Sequence, residues 1–397
     1  MNPRAVLGFT GQMLAVVTVL LMLPLGVALS DGAGRAIRAY LVTVLVTGAG
    51  GLALRFAGRT GRDEGIHRKD AFGVVALAWL LLGVVGALPL MLDHAIPDPF
   101  GAVFEAVSGF TTTGATVVSD VDALSRATNL WRCLMHWVGG MGIVVLFVAV
   151  FPQLGVGAKQ LFKTEVPGLP SEGLRPRIRE TAVRLWWVYA GLTALCAGLL
   201  WLEGMSPYDA VCHAFSTLGS GGFSTRTASV GAWDSPAIHW TIAAFMLVAG
   251  LNFGLYYALL LGRVREVLRN SELLFYVGMN LALIAAVVVA ITPDHGLGEA
   301  TVREAAFQVL SVTTTTGFMT ADFDSYPDGV RFLLFLAMFV GGCAGSTAGG
   351  IKAVRVLLLG KVALRELRTT ALPTPSSPCA SATPSSPRRS SPACSCS

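Results

Sequence analysis

Three short segments rich in threonine and glycine have the residue types of a site that binds a cation through backbone carbonyls. In each segment a glycine follows small or hydroxyl-bearing residues, and a serine stands six positions before that glycine. Glycine lacks a Cβ and permits a positive φ, so consecutive carbonyls can turn toward one axis. Rings of carbonyls that replace a hydration shell are how potassium filters work. The serine and glycine pairs are Ser108 with Gly114, Ser216 with Gly222, and Ser311 with Gly317.

These three segments are parts of an internal repeat. A single Thr-Thr-Thr-Gly sequence would indicate no more than a turn. Here the glycines stand 108 and 95 residues apart, and each is followed 24 to 27 positions later by Gly139, Ala249 or Gly341 within an apolar stretch. Because unrelated loops would rarely share all these features, we interpret the segments as equivalent positions of a repeated unit.

Long apolar stretches surround the three segments. The chain is 53% hydrophobic and 13% charged, against about 25% charged in an ordinary globular protein. Eight stretches approach or exceed the roughly 20 residues that cross a bilayer. The first lacks a small-residue cleavage site and is interpreted as a retained helix rather than a signal peptide. They cover residues 9–30, 39–54, 71–92, 133–158, 185–202, 235–262, 273–293 and 332–351.

This arrangement predicts an all-α polytopic membrane protein built from helix–pore-loop–helix units like those of K⁺ channels. Each unit has a leading helix, a short half-spanning helix, a Thr/Gly segment and a trailing helix. Irregular backbone at membrane depth is tolerated only when it is buried in protein or lines water. The short helix would aim the negative end of its dipole inward and so favour a cation.

The charges are distributed by side of the membrane. Basic residues cluster in the connections 55–69, 159–184, 263–269 and 352–368, and most loops between them carry aspartates. The excess of Lys and Arg predicts that the basic side, with the N-terminus, is cytoplasmic. Acidic loops on the other side would concentrate cations. The net charge of +5 therefore does not indicate nucleic acid, and the seven cysteines form neither a metal motif nor a disulfide framework.

Several segments together resemble the Trk/Ktr/HKT potassium transporter superfamily, and in particular its TrkH branch. The resemblance covers roughly residues 5–370. The segments that carry it are 104–117, 136–143, 152–187, 221–225, 315–318 and 341–352.

The resemblance implies four pore-loop units around a pseudo-fourfold axis, of which three are present here, preceded by two additional helices. It assigns K⁺ selectivity to the filter glycines, and K⁺ is the transported ion, with no covalent cofactor. In Na⁺-preferring relatives the first of these glycines is serine, so Gly114 favours K⁺. The filter residues are Thr112, Thr113, Gly114, Ala115, Gly221, Gly222, Phe223, Thr315, Thr316, Gly317 and Phe318.

The glycine-rich segment 341–350 resembles an intramembrane loop that gates the pore below the filter. Its glycines would destabilise a helix by roughly 1 kcal/mol each relative to alanine. Close helix packing through small residues is the alternative. The gating residues are Gly341, Gly342, Gly345, Ser346, Thr347, Gly349, Gly350 and Lys352.

The resemblance also implies partners and a location. We expect a homodimer in contact with membrane lipid, a cytosolic nucleotide-binding ring like TrkA, and no nucleic acid. The location is the plasma (inner) membrane of a bacterium. Channel-like flux and H⁺ or Na⁺ symport remain open.

The predicted organisation is 1–69 N-terminal helices, 70–158 first repeat, 159–184 cytoplasmic loop, 185–270 second repeat, 271–370 third repeat and 371–397 tail.

The tail departs from the family pattern. Residues 371–397 are mostly Pro, Ser, Ala, Thr, Arg and Cys, which cannot form a packed segment. No fourth pore loop follows the third. A frameshift near residue 370 is one hypothesis and a native disordered tail is the other. A non-functional fragment of a potassium transporter is therefore the alternative function.

Other functions and roles stay open at this stage. Ser346, with His136 or His239 as base, could suggest a serine hydrolase, but no carboxylate orients either histidine. A carrier with inverted repeats conflicts with the parallel units. Glu105, His213 and Gln308 occupy equivalent positions and either support the filter or cap their helices. Asn252 either bonds across helices or faces a cavity, and Arg226 either tunes ion entry or is a loop residue.

Overall fold

The computed structural model describes residues 2–58, 68–142 and 175–371. Helices dominate these residues, and their one β-type pairing is an isolated bridge between Val340 and Ile351. Residues up to Leu357 form one compact unit, and a second begins at Leu358. The first 16 residues of the predicted cytoplasmic loop, the second half of the stretch 133–158 and the predicted tail beyond residue 371 lie outside the described residues.

Two long helices open the chain. Helix α1 (Pro3–Ser30) begins at Asn2, whose side chain accepts a hydrogen bond from the Ala5 N–H, and helix α2 is Gly34–Ala57. The two pack closely through glycines, since a Cβ placed on Gly11 would lie 2.6 Å from the carbonyl oxygen of Gly51. Small residues at such crossings let helix backbones approach in a membrane.

The first repeat contains helices α3 (Arg68–Leu92), α4 (Pro99–Phe110) and α5 (Arg126–Gly140). Asp98 caps the short pore helix α4 by accepting from the Gly101 N–H at 2.6 Å. Ser125 caps α5. Both residues belong to the types that satisfy the free N–H groups of a first helical turn.

In the second repeat, α6 (Arg175–Leu202) leads, α7 (Pro207–Gly219) is the pore helix, and α8 (Pro236–Ala249) and α9 (Phe253–Leu260) trail. Helix α6 begins ten residues before the apolar stretch predicted from the sequence. The expected single helix over 235–262 is instead bent by 95° between α8 and α9.

In the third repeat, α10 (Val264–Leu268) precedes the leading helix α11 (Ser271–His295), and α12 (Glu299–Thr313) is the pore helix. The trailing segment is interrupted. Helix α13 (Asp328–Ala337) ends before the glycine-rich residues, and helix α14 (Ala353–Ala371) starts after them. A continuous helix over 332–351 is therefore not formed.

Among the described residues, five helices are long and apolar enough to cross a membrane, or six if the bent α8–α9 pair counts as one span. Their outer faces present large apolar side chains, such as Leu80, 70% exposed, and Val289, 73% exposed. Exposed apolar surface on this scale marks a membrane or partner interface. The five spans are Pro3–Ser30, Gly34–Ala57, Phe72–Leu92, Ala182–Leu202 and Ser271–Pro293.

Candidate ion filter and its supporting contacts

The three Thr/Gly segments share one backbone conformation. Each pore helix is followed by a left-handed residue two positions before the filter glycine, and the filter glycine itself has a positive φ. The φ values are 55° and 74° at Thr112 and Gly114, 55° and 78° at Ser220 and Gly222, and 57° and 80° at Thr315 and Gly317. Only glycine adopts such conformations without steric cost.

A shared hydrogen bond shapes each segment. The N–H before the filter glycine donates to the carbonyl of the repeated serine, from Thr113 to Ser108 at 2.9 Å in the first unit. The same bond is 3.0 Å long in the second unit and 2.9 Å in the third. In the first unit the serine hydroxyl also donates to the Ala115 carbonyl at 2.6 Å. The third repeats this from Ser311 to Phe318, again at 2.6 Å. The spacing of serine and glycine therefore has a structural reason.

The three segments lie side by side. A Cβ placed on Gly114 would lie 1.9 Å from the carbonyl oxygen of Gly221 in the second segment. A Cβ on Gly222 would lie 2.0 Å from the carbonyl oxygen of Thr316 in the third, whereas Gly317 has open space around this position. Each of these carbonyls belongs to the residue just before the next filter glycine. The segments thus converge in order, unit beside unit.

Residues at one equivalent position of the pore helices hold the chain that follows each filter glycine. The Glu105 carboxylate accepts from the Thr116 hydroxyl at 2.9 Å and from the Val117 N–H at 3.0 Å. His213 Nε2 lies 3.0 Å from the Ser224 hydroxyl, and Gln308 donates to the Ala321 carbonyl at 2.9 Å. Of the two roles left open by the sequence, these contacts agree with support of the candidate filter segments.

Glu105 also pairs with a buried arginine that sequence reasoning missed. Arg132 Nε lies 2.8 Å from the Glu105 carboxylate, and both side chains are at most 2% exposed. A second guanidinium nitrogen donates to Thr116 Oγ1 at 3.1 Å. The signal was an arginine directly before an apolar stretch, since a charge at membrane depth usually has a partner and a function.

Hydrogen bonds also join the loops that follow the filter segments. The Asp122 carboxylate accepts from the Thr227 N–H at 3.0 Å and pairs with Arg226 at 3.2 Å. First the Thr227 backbone N–H, and then its hydroxyl and Arg226, hold the pKa of Asp122 below its usual value. The second and third loops meet where the Gly231 N–H donates to the Met319 carbonyl at 3.0 Å. Arg226 is therefore paired between units.

The glycine-rich residues form a closed loop. Its ends meet at the bridge between Val340 and Ile351, where the Gly341 N–H donates to the Ile351 carbonyl at 3.0 Å. A Cβ on Gly341 would lie 1.8 Å from the carbonyl oxygen of Gly349. Gly345 and Gly350 have φ values of 78° and 69°. Lys352 Nζ donates to the Ala348 carbonyl. Neither a helix nor side chains larger than hydrogen at these glycines fit this conformation.

This loop fills the break between α8 and α9. The Cys343 N–H donates to the Gly250 carbonyl at 2.9 Å, and the Thr347 hydroxyl donates to the Ala249 carbonyl at 3.1 Å. The Phe253 N–H donates back to Gly345 at 3.1 Å. Loop groups thus satisfy backbone groups that a helix break at membrane depth leaves free. Asn252 Oδ1 accepts from the Gly254 N–H at 2.8 Å and so caps α9, a role that neither interpretation from the sequence included.

The loop also contacts two filter segments. The hydroxyls of Thr347 and Ser220 lie 2.8 Å apart, and the Gly349 N–H donates to Thr315 Oγ1 at 2.7 Å. Ser220 and Thr315 are the equivalent left-handed residues that precede the filter glycines. Ser346, considered above as a nucleophile, donates its hydroxyl to the Cys343 carbonyl at 2.6 Å. The structure therefore brings the filter residues of the second and third segments together with the glycine-rich loop.

The fold and these contacts define a class, that of polytopic membrane proteins with consecutive pore loops arranged side by side. Comparison with known proteins narrows the class. The family described as TrkH, cation transport protein, matches residues 44–292 and 295–378. The chain belongs to this TrkH family, which is a family of transporters and not of enzymes.

Named relatives agree with this assignment. The chain is 42% identical over 378 residues to the Trk system potassium uptake protein TrkH of Salmonella typhimurium, covering 93% of this chain and 77% of that protein. It is 41% identical to the protein of the same name from Escherichia coli K12, with the same coverage. The crystal structure of the potassium transporter TrkH from Vibrio parahaemolyticus matches with a TM-score of 0.81 at 36% identity, over 94% of this chain and 77% of that one.

Proposed function

We propose that this chain takes up K⁺ across the plasma membrane as the pore-forming subunit of a Trk-type system. The observation that carries the proposal is the contact of three filter segments through the carbonyls of Gly221 and Thr316. The relatives at 41–42% identity are named potassium uptake proteins. These names support uptake and do not favour a non-functional fragment.

The filter residues act through main-chain oxygens. The predicted set, Thr112 to Ala115, Gly221 to Phe223 and Thr315 to Phe318, would present carbonyls to a dehydrated K⁺ in place of its water shell. Support for this role comes from the repeated positive φ values and from the serine bonds that fix the backbone. K⁺ is the transported ion, and no cofactor takes part.

The glycine-rich loop, with Gly341, Thr347 and Gly349 among its residues, is proposed as the gate. Its support is the pair of contacts with Ser220 and Thr315 directly before two filter glycines. A loop held by hydrogen bonds in a broken helix can move without unfolding a span. The change of conformation would then open or obstruct the path below the filter.

The orientation of the chain in the membrane is inferred from the positions of its basic residues. We place the N-terminus and the basic connections on the cytoplasmic side of a bacterial inner membrane. The proposed assembly is a homodimer bound to a cytosolic nucleotide-binding ring like TrkA. The name of the relative refers to a Trk system, and a system implies further components. The apolar outer faces of the spanning helices contact lipid.

Uptake of ⁸⁶Rb⁺ in a bacterial strain lacking its own potassium uptake systems tests the proposal. The chain is expected to restore uptake that excess K⁺ inhibits more strongly than excess Na⁺. Gly114→Ser is expected to relax this preference for K⁺. Gly278→Ser, at an open site on α11, serves as the matched control. Unchanged K⁺ preference in Gly114→Ser would contradict the filter assignment.

A further inference from the structure

We propose that His136 and Arg132, on the trailing helix of the first unit, are positioning residues that set the K⁺ preference of the second filter segment. They act on Phe223, the residue directly after the filter glycine Gly222. The inference rests on the proposed filter function and assigns a role to two residues outside the filter itself.

Both residues contact the Phe223 ring. The Arg132 guanidinium carbon lies 4.1 Å from the ring centroid. The His136 imidazole stacks on the ring with centroids 4.1 Å apart and planes inclined by 22°. Positions 132 and 136 are four apart and therefore project from one face of helix α5. Phe223 is 2% exposed, so one helix face of the first unit fixes a buried ring of the second.

The same helix also bonds the Phe223 backbone. The Phe223 N–H donates to His136 Nδ1 at 3.4 Å, and the Ser216 hydroxyl lies at the same distance from Nδ1. Nδ1 is thus an acceptor, and the proton of the neutral imidazole is on Nε2. The Cys133 thiol lies 3.7 Å from the Phe223 carbonyl oxygen. These long contacts take the place of the hydrogen bond that the pore-helix serine makes in the first and third segments.

This support distinguishes the second segment from the other two. In the first and third units, the carbonyl after the filter glycine accepts from the serine of its own pore helix at 2.6 Å. In the second unit the equivalent Ser216 turns toward His136 instead. The second filter segment therefore depends on a neighbouring unit where the others depend on their own.

The His136 imidazole also packs directly against the backbone of the second filter segment. A Cβ placed on Gly221 would lie 2.4 Å from two atoms of the His136 ring. Nε2 of His136 is buried and has no hydrogen-bond partner in the described part of the chain. The polar contacts that fix the ring are consequently those with the second unit. Displacing the ring would move the Gly221 and Gly222 carbonyls, whose geometry governs discrimination between K⁺ and Na⁺.

Two substitutions at His136 separate the contribution of its Nδ1 acceptor from the contribution of its stacking ring. In His136→Asn the side-chain oxygen can take the place of Nδ1 as acceptor, whereas His136→Phe keeps a stacking ring without any acceptor. The ratio of inhibition of ⁸⁶Rb⁺ uptake by K⁺ and Na⁺ is measured in the full chain. Preferential thermal stabilisation of the purified protein by K⁺ over Na⁺ gives a second readout.

His136→Phe is expected to lower the K⁺ preference roughly three- to tenfold, the effect of losing about one neutral hydrogen bond. The loss should be in the KM for K⁺ rather than in the maximal rate, and His136→Asn should recover most of it. His239→Phe and His239→Asn are matched controls, since the His239 imidazole bonds the Trp233 carbonyl rather than a filter residue. Both controls should keep the K⁺ preference.

A wild-type K⁺ preference in His136→Phe overturns the proposal, and so does an equal loss in both His136 variants. Phe223→Leu removes the ring and keeps the backbone, so it should also lower the preference; if it does not, the stack has no role. The Gly114→Ser variant distinguishes a failure of this inference from a failure of the filter assignment. If Gly114→Ser relaxes selectivity and His136→Phe does not, this inference fails while the filter assignment stands.

Discussion

At the scale of single residues, the Glu105–Arg132 pair shows how charge is handled beside the filter. A buried guanidinium near the second filter segment would repel a cation. The carboxylate 2.8 Å away compensates that charge, and Thr116 satisfies further hydrogen-bonding groups of both. Burying two ions is costly, so such a pair is weak evidence for stability, but removing one partner leaves an uncompensated charge.

Glu105→Gln is therefore expected to destabilise the protein by about 3–5 kcal/mol and to weaken K⁺ binding. The double variant Glu105→Gln, Arg132→Gln should be more stable than Glu105→Gln alone, because no unpaired charge remains. Thermal unfolding in detergent, with and without K⁺, measures both effects.

Glu180→Gln is the matched control for that comparison. Its partner Arg184 is 3.5 Å away, and both side chains are about half exposed, so the cost should be no more than about 1 kcal/mol. A double variant less stable than Glu105→Gln would show that the isolated arginine is not the source of the cost.

At the scale of elements, two breaks in trailing helices occur together. The carbonyls of Ala249 and Gly250 lie at the bend between α8 and α9, and the donors that satisfy them come from the loop between α13 and α14. Each break supplies hydrogen-bond partners to the other, which a hydrocarbon environment would not provide. Movement of the loop must therefore change its hydrogen bonds at the bend and its contacts with the filter segments.

Gly341→Ala tests the position of this loop. The new Cβ would lie 1.8 Å from the Gly349 carbonyl oxygen, so the backbone here must shift, and this is expected to weaken the bond from the Gly349 N–H to Thr315. If the loop obstructs the path, ⁸⁶Rb⁺ uptake per molecule should rise. Gly278→Ala, where the Cβ meets nothing within 4 Å, should leave uptake unchanged and stabilise α11 by up to about 1 kcal/mol. Equal uptake in wild type and Gly341→Ala would argue against a gate here.

At the scale of the whole molecule, contacts between the loops hold successive units in order. Asp122 of the first unit binds the Thr227 N–H and Arg226 of the second, and Gly231 of the second binds Met319 of the third. The filter glycines follow the same order, since the Cβ positions of Gly114 and Gly222 each face a carbonyl of the next unit. Alignment of the filter segments is thus secured at the filter and again in the loops.

The Asp122 contact should make stability depend on pH. Because the pKa of Asp122 is lowered in the folded state, its stabilisation is present above the unfolded value of about 3.9 and is lost as pH falls through the lower folded value. Asp122→Asn should therefore lower the thermal midpoint at pH 7, with the difference shrinking below about pH 4. Asp234→Asn, at another exposed aspartate, corrects for the loss of one carboxylate. A difference that does not change with pH would contradict this role.

Local features of the sequence were sufficient to predict the class and much of the candidate site. Apolar stretches identified the five helices that are long enough to span a membrane, and the spacing of Ser108 and Gly114 predicted a backbone conformation that recurs in the other two segments. This works because helix length in a bilayer and the φ of glycine are set by short-range geometry.

Tertiary structure alone decided the rest. The bend at residues 250–252, the pairing of Arg132 with Glu105 and the stack of His136 on Phe223 are not encoded in any local pattern. Ser220 and Thr347 meet across 127 positions of sequence, and Phe223 and His136 across 87. A buried polar group needs a partner, but which distant residue supplies it depends on how the units pack, so only the folded chain identifies the pair.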